Sequence, residues 1–252
     1  REALELRDGG ARFGGLDVQR ALAHLRDEIA AALAGFDAAD QAGLDARLVA
    51  LDGTPNKQRL GANATLAVSM AAAHAAAAAQ GLPLHEHLVR GLGGAGGPTG
   101  RAWRLPMPQI QIFGGGAHAA RRVDIQDFMV VCPGARSFAE ALEWTAEVYR
   151  AAGEALQARG ARFGVADEGG HWPDFDSNEA ALAALVEAIE RAGFAPGAQV
   201  AIALDIAASE FGHGGGRGRY TLGLERRELD SDGLIELLLR WCERYPVVSI
   251  ED

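Results

Sequence analysis

Sulfur is scarce in this chain, and positive charge is outweighed. Of 252 residues only Cys132 and Cys242 are cysteines. Two cysteines make no disulfide framework, so a reducing, cytoplasmic setting is expected. Both lie in apolar stretches, and packing is expected of each rather than catalysis. Lysine and arginine total 24 against 34 acidic residues, a formal net charge of −10. That balance argues against nucleic acid as a partner. It also means that an anionic ligand must be held by a metal or by local arginines. No apolar run is long enough for a membrane span. The start, Arg1 to Asp8, has neither the form of a signal peptide nor an initiating methionine.

What is present reads first as helix. Asp17 is placed to cap a helix with apolar positions Val18, Leu22, Leu25, Ile29 and Leu33, and Gly35 to end it. Leu44, Leu48 and Leu51 continue at helical spacing into a turn-rich loop over 51–57. Gly61 to Gln80 is an alanine-rich helix stopped by Gly81 and Pro83, with His74 read as a packing residue. The glycine-rich stretch Gly91 to Gly100 is the best boundary, dividing residues 1–100 from 101–252. Beyond it, Leu105 to Phe113 and Asp124 to Val131 read as extended. Ser137 and Glu140 form a capping box on a long helix ending near Gly160, with Phe138, Leu142, Val148, Tyr149 and Leu156 facing inward. A helix from about Asn178 to Ala192 and a hairpin with a glycine-rich tip, Phe211 to Leu222, complete the middle of the chain.

Two short runs organise the rest. Val200 to Asp205 and Val247 to Glu251 are each apolar and each stop on a carboxylate. Such runs suit strands buried on both faces of a parallel sheet covered by helices. The segment between them ends in a helical pattern, Leu234 to Tyr245, which makes a strand–crossover–strand unit of a β/α barrel. In those barrels the site lies at the C-terminal strand ends. Asp205 and Glu251 then converge as two hard oxygen ligands for Mg²⁺, although either could simply cap its loop. A barrel closes with eight strands and about four are legible here, so a chain truncated at both ends is expected.

Other residues could join the same pocket. Glu168, beside Asp167, sits in a turn followed by Gly169 and Gly170, where a proton donor could stand near the metal. His118 lies on a glycine-rich loop and could bind phosphate or move protons. Gly114 to Gly116 could turn backbone N–H groups toward an anion. Arg121 and Arg122 add cationic charge there, and Gln126 and Asp127 lie near a strand end. Each has a plain alternative as an acidic turn, a solvated histidine, a flexible loop or a surface arginine.

Six strings, in order, carry a resemblance: EALELRDG from Glu2, LDGTPNKQRLGANATLAVSMA from Leu51, LPMPQIQIFGGGAHAARRVDIQDFM from Leu105, GVADEGG from Gly164, ALDIAASEF from Ala203 and YPVVSIED from Tyr245. Together they resemble the enolase family over nearly the whole chain. The resemblance implies an α/β fold: the helical part of an N-terminal α+β capping domain, then part of an enolase-type β/α barrel with an irregular start. It implies Mg²⁺-dependent dehydration of 2-phosphoglycerate, a small anionic phosphorylated substrate, to phosphoenolpyruvate in a homodimer. Glu168 matches the glutamate that assists loss of the hydroxyl, and His118 the histidine of a mobile substrate loop. Gln126 matches a pocket glutamine, and Asp205 and Glu251 match two of three carboxylate metal ligands. The third ligand and the lysine base are expected outside this chain, which by itself is then expected to be inactive.

The departures are local. Ala117 replaces a usual serine, Arg121 and Arg122 replace asparagine-type residues, and Asp127 stands where the family has glutamate. The two arginines with Asp127 would suit a substrate with an extra anionic group, as in homologues that make carboxyphosphonoenolpyruvate. A third reading is a catalytically inactive structural or binding homologue.

Overall fold

The computed structural model describes residues 3–91, 104–213 and 218–252. The chain divides into two compact units, Arg1–Trp103 and Arg104–Asp252. The glycine-rich stretch expected to separate them lies, from residue 92 on, outside the described residues. No described helix is long and apolar enough to cross a membrane.

The first unit is helical. Helix α1 (Gln19–His24) continues through a π turn (Leu25–Ile29) into α2 (Ala30–Leu33), followed by α3 (Gln41–Asp52), α4 (Ala62–Ala79) and α5 (Leu84–Gly91). The expected cap of the first helix is corrected. The Asp17 carboxylate bonds to Val18 N and to the Gln19 side chain, whereas Asp8 accepts the N–H groups of Gln19 and Arg20 at 2.6 and 3.0 Å. A carboxylate brought in by the preceding extended segment does the work the adjacent one was expected to do. Ile29, Leu44, Leu48 and Leu60 are buried together, and Ala72, Ala73, Ala76 and Ala77 form the buried side of α4. His74 lies between those alanine pairs and is exposed, so its reading as a packing residue is corrected.

The second unit is built on a six-stranded sheet. Its strands are β1 (Ile110–Gly114), β2 (Asp127–Val131), β3 (Arg162–Val165), β4 (His171–Pro173), β5 (Ala201–Asp205) and, last in the chain, β9 (Val247–Glu251). The order is β3-β4-β1-β2-β5-β9. β1 and β5 each run antiparallel to β2, while β9 runs parallel to β5. The parallel pairing expected of β5 and β9 is present, and the antiparallel pairings of β2 and of β3 with β4 make the irregular start that the resemblance implies. A smaller antiparallel sheet holds β6 (Gly212–His213), β7 (Arg219–Leu222) and β8 (Arg227–Asp230).

The two faces of the large sheet differ. On one, Phe113, Phe128, Val130, Ile202 and Leu204 pack with residues of helices α6 (Phe138–Ala158), α7 (Asn178–Arg191) and α8 (Ser231–Arg244). On the other, Met129, Val131, Ala201 and Ala203 form a small separate cluster. Alternation along a strand produces this division. The inward face of α6 is Ala141, Thr145, Val148, Ala152 and Leu156; Phe138 and Leu142, expected inside, are each 40 % exposed. The capping box is half formed. Ser137 Oγ accepts from Glu140 N, but the Glu140 carboxylate reaches back to Arg136 N at 2.6 Å. β5 is buried, as its apolar run implies, whereas β9 is the sheet's edge, with Val248 62 % exposed.

The cysteines also separate. Cys132 is fully buried beside Thr145, and burial pushes its thiol up from its ordinary value, while Cys242 on α8 is exposed. Iodoacetamide applied to the native protein should modify Cys242 and leave Cys132 untouched until denaturant is added, as peptide mass mapping would show. Early labelling of Cys132 would contradict this packing.

Candidate functional site

One end of the large sheet carries a row of four residues in direct register. Gly114 pairs with Asp127, Asp127 with Asp205, and Asp205 with Glu251. The row comprises the C-terminal residues of β1, β5 and β9 and the first residue of β2. Register partners project to the same face of a sheet and lie about 5 Å apart along the backbone direction of pairing. Three carboxylates are thus set side by side above the small residues of the inner face.

Asp205 is held on both oxygens. Ala207 N–H donates to Oδ1 at 3.1 Å and Gln126 Nε2 to Oδ2 at 3.1 Å. The first bond depends on Ala207 adopting a left-handed conformation, φ 46°. Glu251 is exposed, and its carbonyl accepts from Ile206 N at 3.0 Å, which ties the two strand ends together.

Asp127 is 5 % exposed and accepts a hydrogen bond from Gln111 Nε2. A bulge between Gln111 and Phe113 aims that glutamine. Ile112 and Phe113 both enter the helix-side core, leaving Gln111 to the inner face in register with Met129. The same Nε2 lies 3.5 Å from Glu168 Oε2, and Gly170 N–H donates to Gln111 Oε1 at 2.7 Å. Glu168 stands exposed on the turn between β3 and β4, closed by Ala166 N to Gly170 O at 2.8 Å. Tyr149 OH donates to Gly169 O, and the Tyr149 ring stacks on buried His171 at 4.0 Å. The sequence brings Glu168, Asp127, Gln126, Asp205 and Glu251 to one end of the sheet. Gln111 was missed; its signal is a polar residue inside the apolar run of β1.

The glycine loop behaves otherwise than expected. Gly115 N–H donates to Gln126 O at 2.7 Å and Gly116 N–H to Val123 O at 2.9 Å. Both donors are spent inside the loop, so the reading of Gly114 to Gly116 as an anion nest is corrected. The glycines are needed for closeness instead. A Cβ on Gly115 would stand 2.2 Å from Ile125 O. His118 lies in the 3₁₀ turn Gly116–Ala119, its side chain outside the described set. Arg121 pairs with Glu210 at 2.8 Å and Arg122 with Asp174 at 2.8 Å. The two guanidinium groups thereby fasten this loop to the segments after β5 and β4. Asp167 is exposed on the β3–β4 turn.

Among the described residues no group of three or more histidines, cysteines, aspartates or glutamates is gathered to hold a metal. The pair Asp205 and Glu251 nonetheless offers oxygen donors only, the donor type that suits Mg²⁺.

Residues 102–252 match the family described as enolase, C-terminal TIM barrel domain, and residues 1–88 match enolase, N-terminal domain. A protein named enolase from Rubrobacter xylanophilus is 50 % identical over all 252 residues. Those residues cover 56 % of that relative, so the chain spans about half the length of the curated relative it matches.

Proposed function

Since this chain belongs to the enolase family, we propose that the protein carrying it dehydrates 2-phosphoglycerate to phosphoenolpyruvate. The observation that carries the reading is the register row Asp127, Asp205 and Glu251, with Glu168 joined to it through Gln111. Part of a β/α barrel preceded by a capping domain presents Asp205 and Glu251 at C-terminal strand ends, with Asp127 at the start of the antiparallel β2 beside them.

The reaction removes the proton on the carbon beside the carboxylate and expels hydroxide from the next carbon. The electron pair of the broken C–H bond becomes the new double bond, and the hydroxide leaves as water once protonated. Glu168 is the group for that protonation: it is exposed to the site, and its turn is fixed by Gln111 and Tyr149. Asp127 holds the adjoining position and, through Gln111, its spacing from Glu168. Asp205 and Glu251 would hold Mg²⁺, with Gln126 and Ala207 N–H orienting Asp205. When bound, the ion neutralises the charge that builds on the substrate carboxylate. His118 and the loop around it contact substrate, and Arg121 and Arg122 enter as fasteners of that loop, by way of Glu210 and Asp174. The same reading includes a cytoplasmic homodimer. The chain's one lysine, Lys57, lies in the first unit, so the assay belongs to the complete gene product.

Phosphoenolpyruvate formation from 2-phosphoglycerate, followed by ultraviolet absorbance, should be fast with Mg²⁺ and stop with chelator. Mg²⁺ binding without turnover would overturn the reading and favour a phosphonate substrate.

A further inference from the structure

The amide of Gln111 occupies a slot built for it. Its Oε1 is pinned by Gly170 N–H, which leaves the NH₂ group facing the carboxylates. A Cβ on Gly170 would lie 2.4 Å from that oxygen. A Cβ on Gly114 would lie 3.2 Å from it and 2.3 Å from the Ala166 methyl. Two glycines therefore open the slot, the bulge in β1 aims the side chain into it, and Gln111 is 7 % exposed. From that fixed point one nitrogen serves two acids, Asp127 and Glu168. Each of its two N–H bonds has one carboxylate to meet, and the amide adds no charge to the row.

We propose that Gln111 is a positioning residue that sets the separation of Asp127 from Glu168, its long side chain making up for the short carboxylate at Asp127. The proposal rests on the function given above and assigns one step of its geometry. A glutamate at 127 would bring its oxygens one bond nearer to the amide and crowd it; an asparagine at 111 would withdraw the amide by the same amount. The two changes are complementary in length, which makes the test.

In the complete gene product, Gln111→Asn and Asp127→Glu should each lower kcat on 2-phosphoglycerate by about 30- to 100-fold with KM changed by less than about threefold, since a misplacement of about 1 Å costs on that order. The double variant Gln111→Asn with Asp127→Glu should recover to within about fivefold of wild type. Thermal melts separate this from general damage, because a merely structural role would not restore kcat by exchanging a methylene. Single variants with unchanged kcat, or a double variant whose loss is the product of the singles, would overturn the proposal.

A readout that needs no turnover covers the case in which the functional reading itself fails. The side-chain NH₂ of Gln111, followed by NMR hydrogen exchange, should be protected in wild type, fast-exchanging in Asp127→Ala, and protected again in the double variant. Fast exchange in wild type would overturn the inference whatever the substrate proves to be.

Discussion

Asp205→Asn in the complete gene product is expected to lower kcat/KM on 2-phosphoglycerate by about a thousandfold, equivalent to roughly 4 kcal/mol. The substitution is nearly isosteric, so it tests charge rather than packing. Asp205 is half-buried at the end of β5, and both oxygens already have protein donors, Ala207 N–H and Gln126 Nε2. An asparagine keeps one acceptor. Its amide nitrogen then faces the amide nitrogen of Gln126, and two donors oppose each other. The row loses a formal charge that, on the proposed reading, is one of two carboxylates available to Mg²⁺ from this chain. Calorimetric titration should show Mg²⁺ affinity falling with activity. Gln126→Ala leaves the carboxylate and removes only its orienting partner, so a loss of about 10- to 100-fold is expected. Equal losses from both variants, or full activity in Asp205→Asn, would show that Asp205 is an ordinary loop cap.

The second large effect is on stability. Asn178, the first residue of α7, is completely buried. Its Oδ1 accepts the N–H groups of Asp124 and Ile125 at 2.9 and 3.4 Å. Its Nδ2 donates to Asp124 Oδ2 at 2.9 Å and Glu225 Oε1 at 3.3 Å. Asp124 in turn accepts from Gly223 N and Leu224 N. One side chain thus joins the segment leading into β2, a helix start and the turn after β7. Asn178→Ala removes all four bonds, three of them part-buried, and a loss of about 2–4 kcal/mol is expected. For a domain of this size that lowers Tm by roughly 4–16 °C. Asn178→Asp is the discriminating variant. It has the same shape but sets a third carboxylate against Asp124 and Glu225, so it should be no more stable than the alanine. A stable aspartate variant would show that the donors of Asn178 do not matter.

What could be read from sequence depended on how far away each residue's partner lies. β5 was legible because five consecutive small and apolar residues with a terminal aspartate need no distant information. β9 is exposed among the described residues, since burial is set by neighbouring strands and the string itself does not contain them. Asp17 is adjacent to the helix and reads as its cap; Asp8, eleven residues before Gln19, takes the role because the chain doubles back. Phe138 and Leu142 were assigned inward on hydrophobicity, but helix periodicity places Ala141, Thr145 and Val148 there, and the hydroxyl of Thr145 is accommodated by Ala141 O. β3 and β4, four and three residues long, were too short to carry a pattern. At the site, Asp205 and Glu251 are legible because each ends a short apolar run, and the resemblance adds the roles of Glu168, His118 and Gln126. Gln111 was not found, because a bulge breaks the alternation that would have shown which face it takes.

The edge position of β9 bears on handling as well as on architecture. Among the described residues it pairs on one side only, with β5, and Val248 and Ile250 are 62 % and 39 % exposed. A free row of backbone donors and acceptors beside apolar side chains accepts any extended segment that reaches it first. Burial of Val248 and Ile250 therefore depends on an extended segment pairing along β9, and their exposure to solvent measures whether that edge is covered.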